Sequence, residues 1–377
     1  MACDNFATRG HVLLAGAAST LAIGARLTPC AGASPRLVFL NPGESVERAS
    51  AKQRQLVSGF MAAAAKTLTL RLEVQYPGPD HLVMRRQAET LARVPSAPDY
   101  IVIVNEKRTP PRILRSLHGV RSTIVVTGND LTEAQRREID NEREQIAIWI
   151  VAVTADASSA GYRLMAYLVK RNNALRVIRI AGDPSSPVSQ QRAVRSREGM
   201  DRPRMANLNQ RSYRAWTFGD NHDKARVLLT RFPRTNAIGA ANGAMTLGAK
   251  TACDALGLRA ILGGMRALPE ALRSLRSGGL TAMLAGDYFI GAFAMVLICD
   301  HHMGVDFATR GHARLKRDFL TLVDRGNAAS YYALLFGGLG DPDFGTFSRV
   351  CRRTNADYDF SIEWLLATMS GASDVSY

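Results

Sequence analysis

The chain has 377 residues, 46% of them hydrophobic and 21% charged, with a formal net charge of +15. That length holds two domains with full-sized cores, and the composition excludes a disordered chain or a multi-span membrane protein. So basic a balance suits nucleic acid or an anionic surface. Yet the Lys and Arg residues are scattered, with no long basic run, aromatic-flanked basic stripe or nucleic-acid motif. The reading is a solvated basic surface and no nucleic-acid partner.

Residues 1–33 read as a signal peptide. Arg9 and His11 precede an apolar run from Val12 to Ala25, and Ala31-Gly32-Ala33 offers a small-residue cleavage site before Ser34. The apolar run is too short to cross a bilayer as a helix. An uncleaved anchor or a buried helix is the other reading, and Leu27-Thr28-Pro29-Cys30 is a poor lipoprotein site because Pro precedes the Cys. Cleavage removes Arg9, Arg26 and Asp4, lowering the net charge by one, together with Cys3 and Cys30. Cys253, Cys299 and Cys351 remain, without metal-ligand spacing and with at most one disulfide among them. No other apolar run reaches membrane-spanning length, which predicts a soluble mature chain from Ser34 onward.

From there the pattern alternates. Arg36–Leu40 is a short apolar strand closed by Asn41-Pro42-Gly43, and Ala49–Leu68 has helical spacing. Leu70–Tyr76 alternates as a strand, and Asp80 caps a helix over His81–Val94. Asp99–Val104 is the near-continuous apolar run of a central strand covered on both faces. A helix over Pro110–Leu117 and a strand over Thr123–Thr127 follow. Gly128–Gln145 is polar, with Leu131–Ile139 helical, and reads as a crossover between domains. The rhythm restarts with a strand over Ile146–Val153 and a helix opened by Asp156. A strand at Val177–Ala181 leads through a Gly, Asp, Pro and Ser loop to a helix over Ser189–Met205. Next come a strand at Arg214–Phe218, a helix at His222–Phe232, and a strand at Ala237–Ala241 with its own helix. Ile261–Gly264 and Leu280–Ala285 are further strands, Pro269–Arg276 and Ile290–His301 further helices. From Asn327 a mainly helical tail packs back on the body.

Strands alternating with helices imply parallel βαβ sheets. The predicted fold is α/β: two doubly wound lobes joined by a hinge of several crossings, with a ligand cleft between them. The expected N-terminal lobe is 34–128 plus about 286–312. The expected C-terminal lobe is 146–285 plus about 313–326, and 327–377 forms the tail.

Three motifs in order carry a resemblance. Ala240-Ala241-Asn242-Gly243-Ala244-Met245-Thr246-Leu247-Gly248-Ala249 is close to "A-N-D-x-M-A-x-G-A". Leu262-Gly263-Gly264 stands before Leu268-Pro269-Glu270-Ala271. Arg276-Ser277-Gly278-Gly279-Leu280-Thr281-Ala282 matches a "G-x-L-x-A-T" return strand. From Leu37 to about Asp324 the chain resembles the type I periplasmic binding proteins of the sugar-binding group, kin to ribose-binding proteins and LacI-type ligand cores. A leader, rather than a helix-turn-helix, precedes the first strand, which favours an exported receptor over a repressor.

The resemblance implies ligand contacts at strand ends: Asn41 and Glu44, Asn105 and Glu106, Asn242 and Asp287; Asp156, which follows a strand, is a further candidate contact on its own position. Amides and carboxylates there suit sugar hydroxyls, which both donate and accept. The family's "R-x-x-G-F" Arg falls on Ser196, flanked by Arg195 and Arg197, so a displaced Arg is expected at one of those two. Arg266 stands where ribose-type members carry an Asp, and Gly243 replaces the motif's Asp. An Arg in place of an acid implies an acidic or phosphorylated sugar, or a cleft that has lost its ligand. Trp149, Trp216, Tyr288 and Phe289 are the aromatics weighed for ring stacking, with core packing as the competing role.

Other chemistry finds little support. Asn105-Glu106-Lys107 lacks a nucleophile or metal cluster beside it, adjacent His301 and His302 point to different sides of a helix, and Asp156 and Asp183 serve equally as helix caps or loop acceptors. No dinucleotide fingerprint, phosphate loop or nucleophile elbow occurs. The expectation is a non-enzymatic periplasmic receptor without cofactor or metal. It binds a monosaccharide or sugar acid and serves an ABC permease or a membrane sensor kinase. The alternative is an interaction protein that keeps the fold with a decayed cleft.

Overall fold

The computed structural model describes residues 34–43, 52–78, 80–106, 108–171, 174–182, 186–200, 206–213, 218–308, 313–337, 341–354 and 356–369. The leader, Glu44, Lys107, Asp183 and Trp216 lie outside them. The first sheet takes β1 (Arg36–Leu40), β2 (Arg71–Gln75), β3 (Tyr100–Val104), β4 (Thr123–Gly128), β5 (Trp149–Ala155) and β11 (Arg314–Arg317). Its order is β11-β5-β4-β3-β1-β2. The second takes β6 (Leu175–Ala181), β7 (Ala206–Tyr213), β8 (Ala237–Ala240), β9 (Ile261–Met265), β10 (Ala282–Ala285) and β12 (Thr321–Val323), in the order β12-β10-β9-β8-β6-β7. All ladders are parallel except β10 with β12. A parallel sheet is covered on both faces, and β3, Tyr-Ile-Val-Ile-Val, is buried throughout.

The helices follow in order: α1 (Lys52–Thr67), α2 (His81–Arg93), α3 (Pro110–Ser116), α4 (Glu133–Ile139), α5 (Ala157–Arg171), α6 (Pro187–Glu198), α7 (Phe218–Arg231), α8 (Gly243–Ala255), α9 (Pro269–Arg276) and α10 (Ile290–His302). Local rules start several of them. Asp80 caps α2 by accepting from the Leu82 amide at 2.8 Å, and Thr132 with Gln135 forms a capping box on α4.

Tertiary pairing moves the lobe boundary that the sequence suggests. β5 pairs with β4, not with the second sheet, so the first lobe runs to Ala155. Gly128–Gln145 is therefore an excursion within the first lobe rather than a crossover. Leu131, Ile139, Ile146 and Trp149 bury into one cluster with β3 and β4. There Arg136, beside the Trp149 ring, binds Asp130 at 2.7 Å and Glu142 at 3.0 Å. Residues 314–317 likewise join the first sheet, and only β12 of the expected 313–326 segment joins the second. The strand expected at Arg214–Phe218 forms earlier, as β7. It is an edge strand, and its Asn, Gln, Arg and Ser residues give no apolar signal.

The chain thus passes between the sheets after β5, after β10, and between β11 and β12. α10 follows the second passage and is buried from Ile290 to Asp300, between β4, β5 and α1. The tail lies across both lobes. Its α11 (Ala328–Phe336) contacts α9, and a 3-10 turn at Phe344–Phe347 contacts α10 and α1. Phe347 and Phe360 bring their rings to within 5.5 and 4.6 Å of Phe293 on α10. α12 (Arg349–Arg352) and α13 (Ile362–Met369) complete it. Ile362 covers Gly286 in the second passage, where φ is +124° and an added Cβ would lie 2.2 Å from Ile362 Cδ1. Among the described residues no helix is long and apolar enough to cross a membrane.

Candidate ligand-binding site

A cavity lies where the carboxyl ends of the two sheets face each other, the place where open α/β folds receive ligands. Val104, Thr127, Gly128, Asn129 and Asp130 contribute from the ends of β3 and β4, and Ala155 and Ala157 from the first passage. Val188, Gln191 and Arg192 of α6 and Arg266 after β9 form the opposite wall, with Asp287 of the second passage and Gly291 at the start of α10 at the back. The cavity measures about 40 Å³, room for roughly three waters at about 10–15 Å³ each.

Its chemistry is ionic. Asp287, with 8% of its side chain exposed, takes Arg266 Nε at 2.5 Å and faces a nitrogen of Arg192 at 3.8 Å. Arg192 is 3% exposed and donates to the Ala241 carbonyl at 3.2 Å. Its Nε has no hydrogen-bond partner. Burial, then repulsion from Arg266, pulls the guanidinium down to about 9, with Asp287 opposing, so it stays protonated at neutral pH. α6 is pinned by Arg179 of β6, which donates to the Ala193 carbonyl at 2.8 Å. Arg266 sits at φ +64°, a region costly for a side-chain-bearing residue. The neighbouring Gly243 is its necessary complement, because a Cβ there would lie 2.6 Å from the Arg266 carbonyl oxygen. The two departures from the family motif are thus one local arrangement.

Of the residues singled out from sequence, Arg266 and Asp287 line the cavity together. Asn41, Asn105, Glu106, Asp156 and Asn242 instead hold its frame. Asn41 bonds Ser58 at 2.6 Å and accepts from the Gly43 amide at 3.1 Å, closing the turn after β1. Asn105 exchanges hydrogen bonds with Gln135 at 3.0 and 3.1 Å and donates to the Asp130 carbonyl at 2.7 Å, clamping the loop after β4. The carbonyl of Glu106 accepts from Thr109. Asp156 caps α5 through the Ser158 and Ser159 amides at 3.0 and 3.1 Å. Asn242 caps α8 through the Met245 amide at 2.8 Å. Arg195 and Arg197 are exposed, with Arg195 paired to Glu198 at 2.6 Å.

The arginine on the buried face of α6 is instead Arg192, one turn before Ser196, whose hydroxyl donates to the Arg192 carbonyl. Positions four apart share a helix face, whereas the immediate neighbours of Ser196 turn outward. That spacing was the available signal. Asn129 and Asp130, hidden in a segment read as a crossover, had no such signal. Trp149, Tyr288 and Phe289 are fully buried in the core, and among the described residues no aromatic ring lines the cavity. Nor do those residues include a group of three or more His, Cys, Asp or Glu able to hold a metal. Cys253 and Cys351 are free and buried.

The profile of the periplasmic binding protein domain matches residues 54–304. Among solved structures, the fold resembles a periplasmic sugar-binding protein from Pseudomonas fluorescens at 28% identity and a TM-score of 0.77, covering 88% of this chain and 99% of that one. It also resembles an ABC transporter periplasmic solute-binding protein from Actinobacillus succinogenes with bound D-allose, at 16% identity and a TM-score of 0.68, over 79% of this chain and 100% of that one. A third likeness is the periplasmic component of the arabinose ABC transporter of Shewanella, at 15% identity and a TM-score of 0.66, over 80% and 96%. At 16% and 15% identity the last two speak for the fold alone. Comparison with curated protein sequences gives no match. The profile spans well over half the chain, and the motifs, the two parallel sheets and the cleft agree with it: the chain belongs to the type I periplasmic binding protein family.

Proposed function

We propose that this protein is an exported receptor that closes its two lobes on a sugar-like ligand. It then delivers the ligand to an ABC permease or reports it to a membrane sensor. The observation that carries the reading is the cavity at the facing strand ends, where Arg192 and Arg266 from the second lobe meet Asp287 of a hinge passage. The sugar-binding likeness from Pseudomonas fluorescens supports the ligand class. A cavity of about 40 Å³ does not admit a monosaccharide, so entry requires the lobes to part about the three passages. Residues 1–33 supply the export signal in this reading, and the chemistry is binding, not catalysis.

A thermal-shift screen of Ser34–Tyr377 against pentoses, hexoses, sugar acids and sugar phosphates tests it. A ligand at about 100 times its Kd adds roughly 2.7 kcal/mol, which for a chain of this size raises Tm by about 4 °C. A panel without any shift, and no co-purifying ligand in native mass spectrometry, refutes the receptor. It would favour the second reading, a decayed cleft in which Arg192, Arg266 and Asp287 pair with one another and receive no ligand.

A further inference from the structure

Resting on the receptor reading, we infer that the ligand carries a carboxylate: the cleft takes a sugar acid, an aldonate or a uronate, in preference to the neutral sugar. Arg192 and Arg266 converge on one oxygen of one carboxylate, Asp287 Oδ2, at 3.8 and 2.5 Å. Among the described residues, two guanidiniums against one aspartate leave a formal charge of +1 in a largely buried site. The other described acid on the wall does not offset it. Asp130 is turned to Arg136 at 2.7 Å, and Arg136 shares Glu142 with Arg314, at 3.0 and 3.5 Å. Those two acids and two arginines balance among themselves. Asp156 is directed into the first turn of α5.

The surplus charge therefore sits on Arg192 and Arg266, and the described residues show where it is least satisfied. At 3.8 Å the Arg192–Asp287 contact is too long for a hydrogen bond, and the buried Arg192 Nε has no acceptor. A buried ion without a full partner is expensive, and so is a buried donor left unpaired. A ligand hydroxyl would satisfy the donor and leave the charge. A carboxylate satisfies both, and its two oxygens fit the fork of a guanidinium. One negative charge matches the surplus, whereas a dianionic phosphate exceeds it. On the facing wall Thr127 Oγ1 is buried without a hydrogen-bond partner and is placed to meet a sugar hydroxyl.

The test is isothermal titration of Ser34–Tyr377 at neutral pH with the aldonates and uronates of the common pentoses and hexoses. Each is run beside its neutral parent and its sugar phosphate. We expect the best acid to bind at least tenfold more tightly than its parent. In Arg266→Gln that preference should fall below threefold. In Asp287→Asn, which leaves both guanidiniums without their aspartate, it should grow, so the assignment stays testable if one variant fails to fold. Equal or tighter binding of the neutral parent overturns the carboxylate assignment while the receptor reading stands. Preferential binding of the phosphate overturns it in the same way. If no compound of any class binds, the receptor reading falls and the assignment with it.

Discussion

Replacing Asp300 with alanine asks how the tail is held across the lobes. Asp300 is a fully buried carboxylate on the otherwise apolar buried face of α10. It accepts from the Ser348 hydroxyl at 2.5 Å, the Arg349 amide at 2.8 Å and the Tyr358 hydroxyl at 2.8 Å. Alanine strands these three short donors, at about 1–3 kcal/mol each, besides the longer Val350 amide contact at 3.4 Å. Losing the carboxylate also removes its own desolvation cost, which returns part of that. A net loss of about 3 kcal/mol remains, or about 4 °C in Tm for a chain of this size. Asparagine keeps acceptor capacity at one oxygen and should lose about half as much. The assay is thermal unfolding of wild type, Asp300→Ala and Asp300→Asn, with brief trypsin treatment at 25 °C. Cleavage after Arg349, Arg352 or Arg353 should appear in the alanine variant before it appears in wild type. If the alanine variant melts within about 1 °C of wild type and resists trypsin equally, water replaces the carboxylate and the anchoring argument is wrong.

Gly243→Ala places a Cβ 2.6 Å from the Arg266 carbonyl, so the backbone must give. The expected cost is about 1–3 kcal/mol, and ligand affinity should drop along with stability because Arg266 moves; a calorimetric titration at matched temperature reads both. Gly286→Ala meets Ile362 and the Phe319 carbonyl at 2.2 and 2.7 Å and must hold φ +124°. A loss of about 1–3 kcal/mol is expected, and unchanged Tm together with an unchanged small-angle scattering profile would contradict the strap over that passage. His301 lies 2.8 Å from the Tyr100 hydroxyl. Burial, then Arg143, lowers its pKa below the ordinary 6.5, with His302 adding to the shift and Asp306 opposing it. The folded state thus keeps it neutral while the unfolded chain gains a proton first. Stability falls as pH drops below about 6.5 toward the folded value and is unaffected above. His301→Gln should flatten the slope of Tm against pH between 7.5 and 5.5, and an unchanged slope would remove this histidine from the account.

Much of the architecture is short-range physics and is legible in the chain. The apolar run of β3 announces a strand buried on both faces. Asp80 and the Thr132–Gln135 box mark helix starts, because capping is settled by backbone amides within three residues. The order of motifs around Asn242, Gly264 and Leu280 points to the family for the same reason: each is a turn or cap whose demands are local. What lay beyond the sequence is decided by partners distant along the chain. Pairing with β4 places β5 in the first lobe, and burial against the core turns Arg192 inward while Arg195 and Arg197 stay in solvent. Asn105 and Asn242 have the residue types of ligand contacts, yet nearby donors and acceptors claim them for the frame. The charge of the cleft exists only where Arg192, Arg266 and Asp287 converge, since a side chain's periodicity tells which face it shares but not which face the rest of the molecule covers.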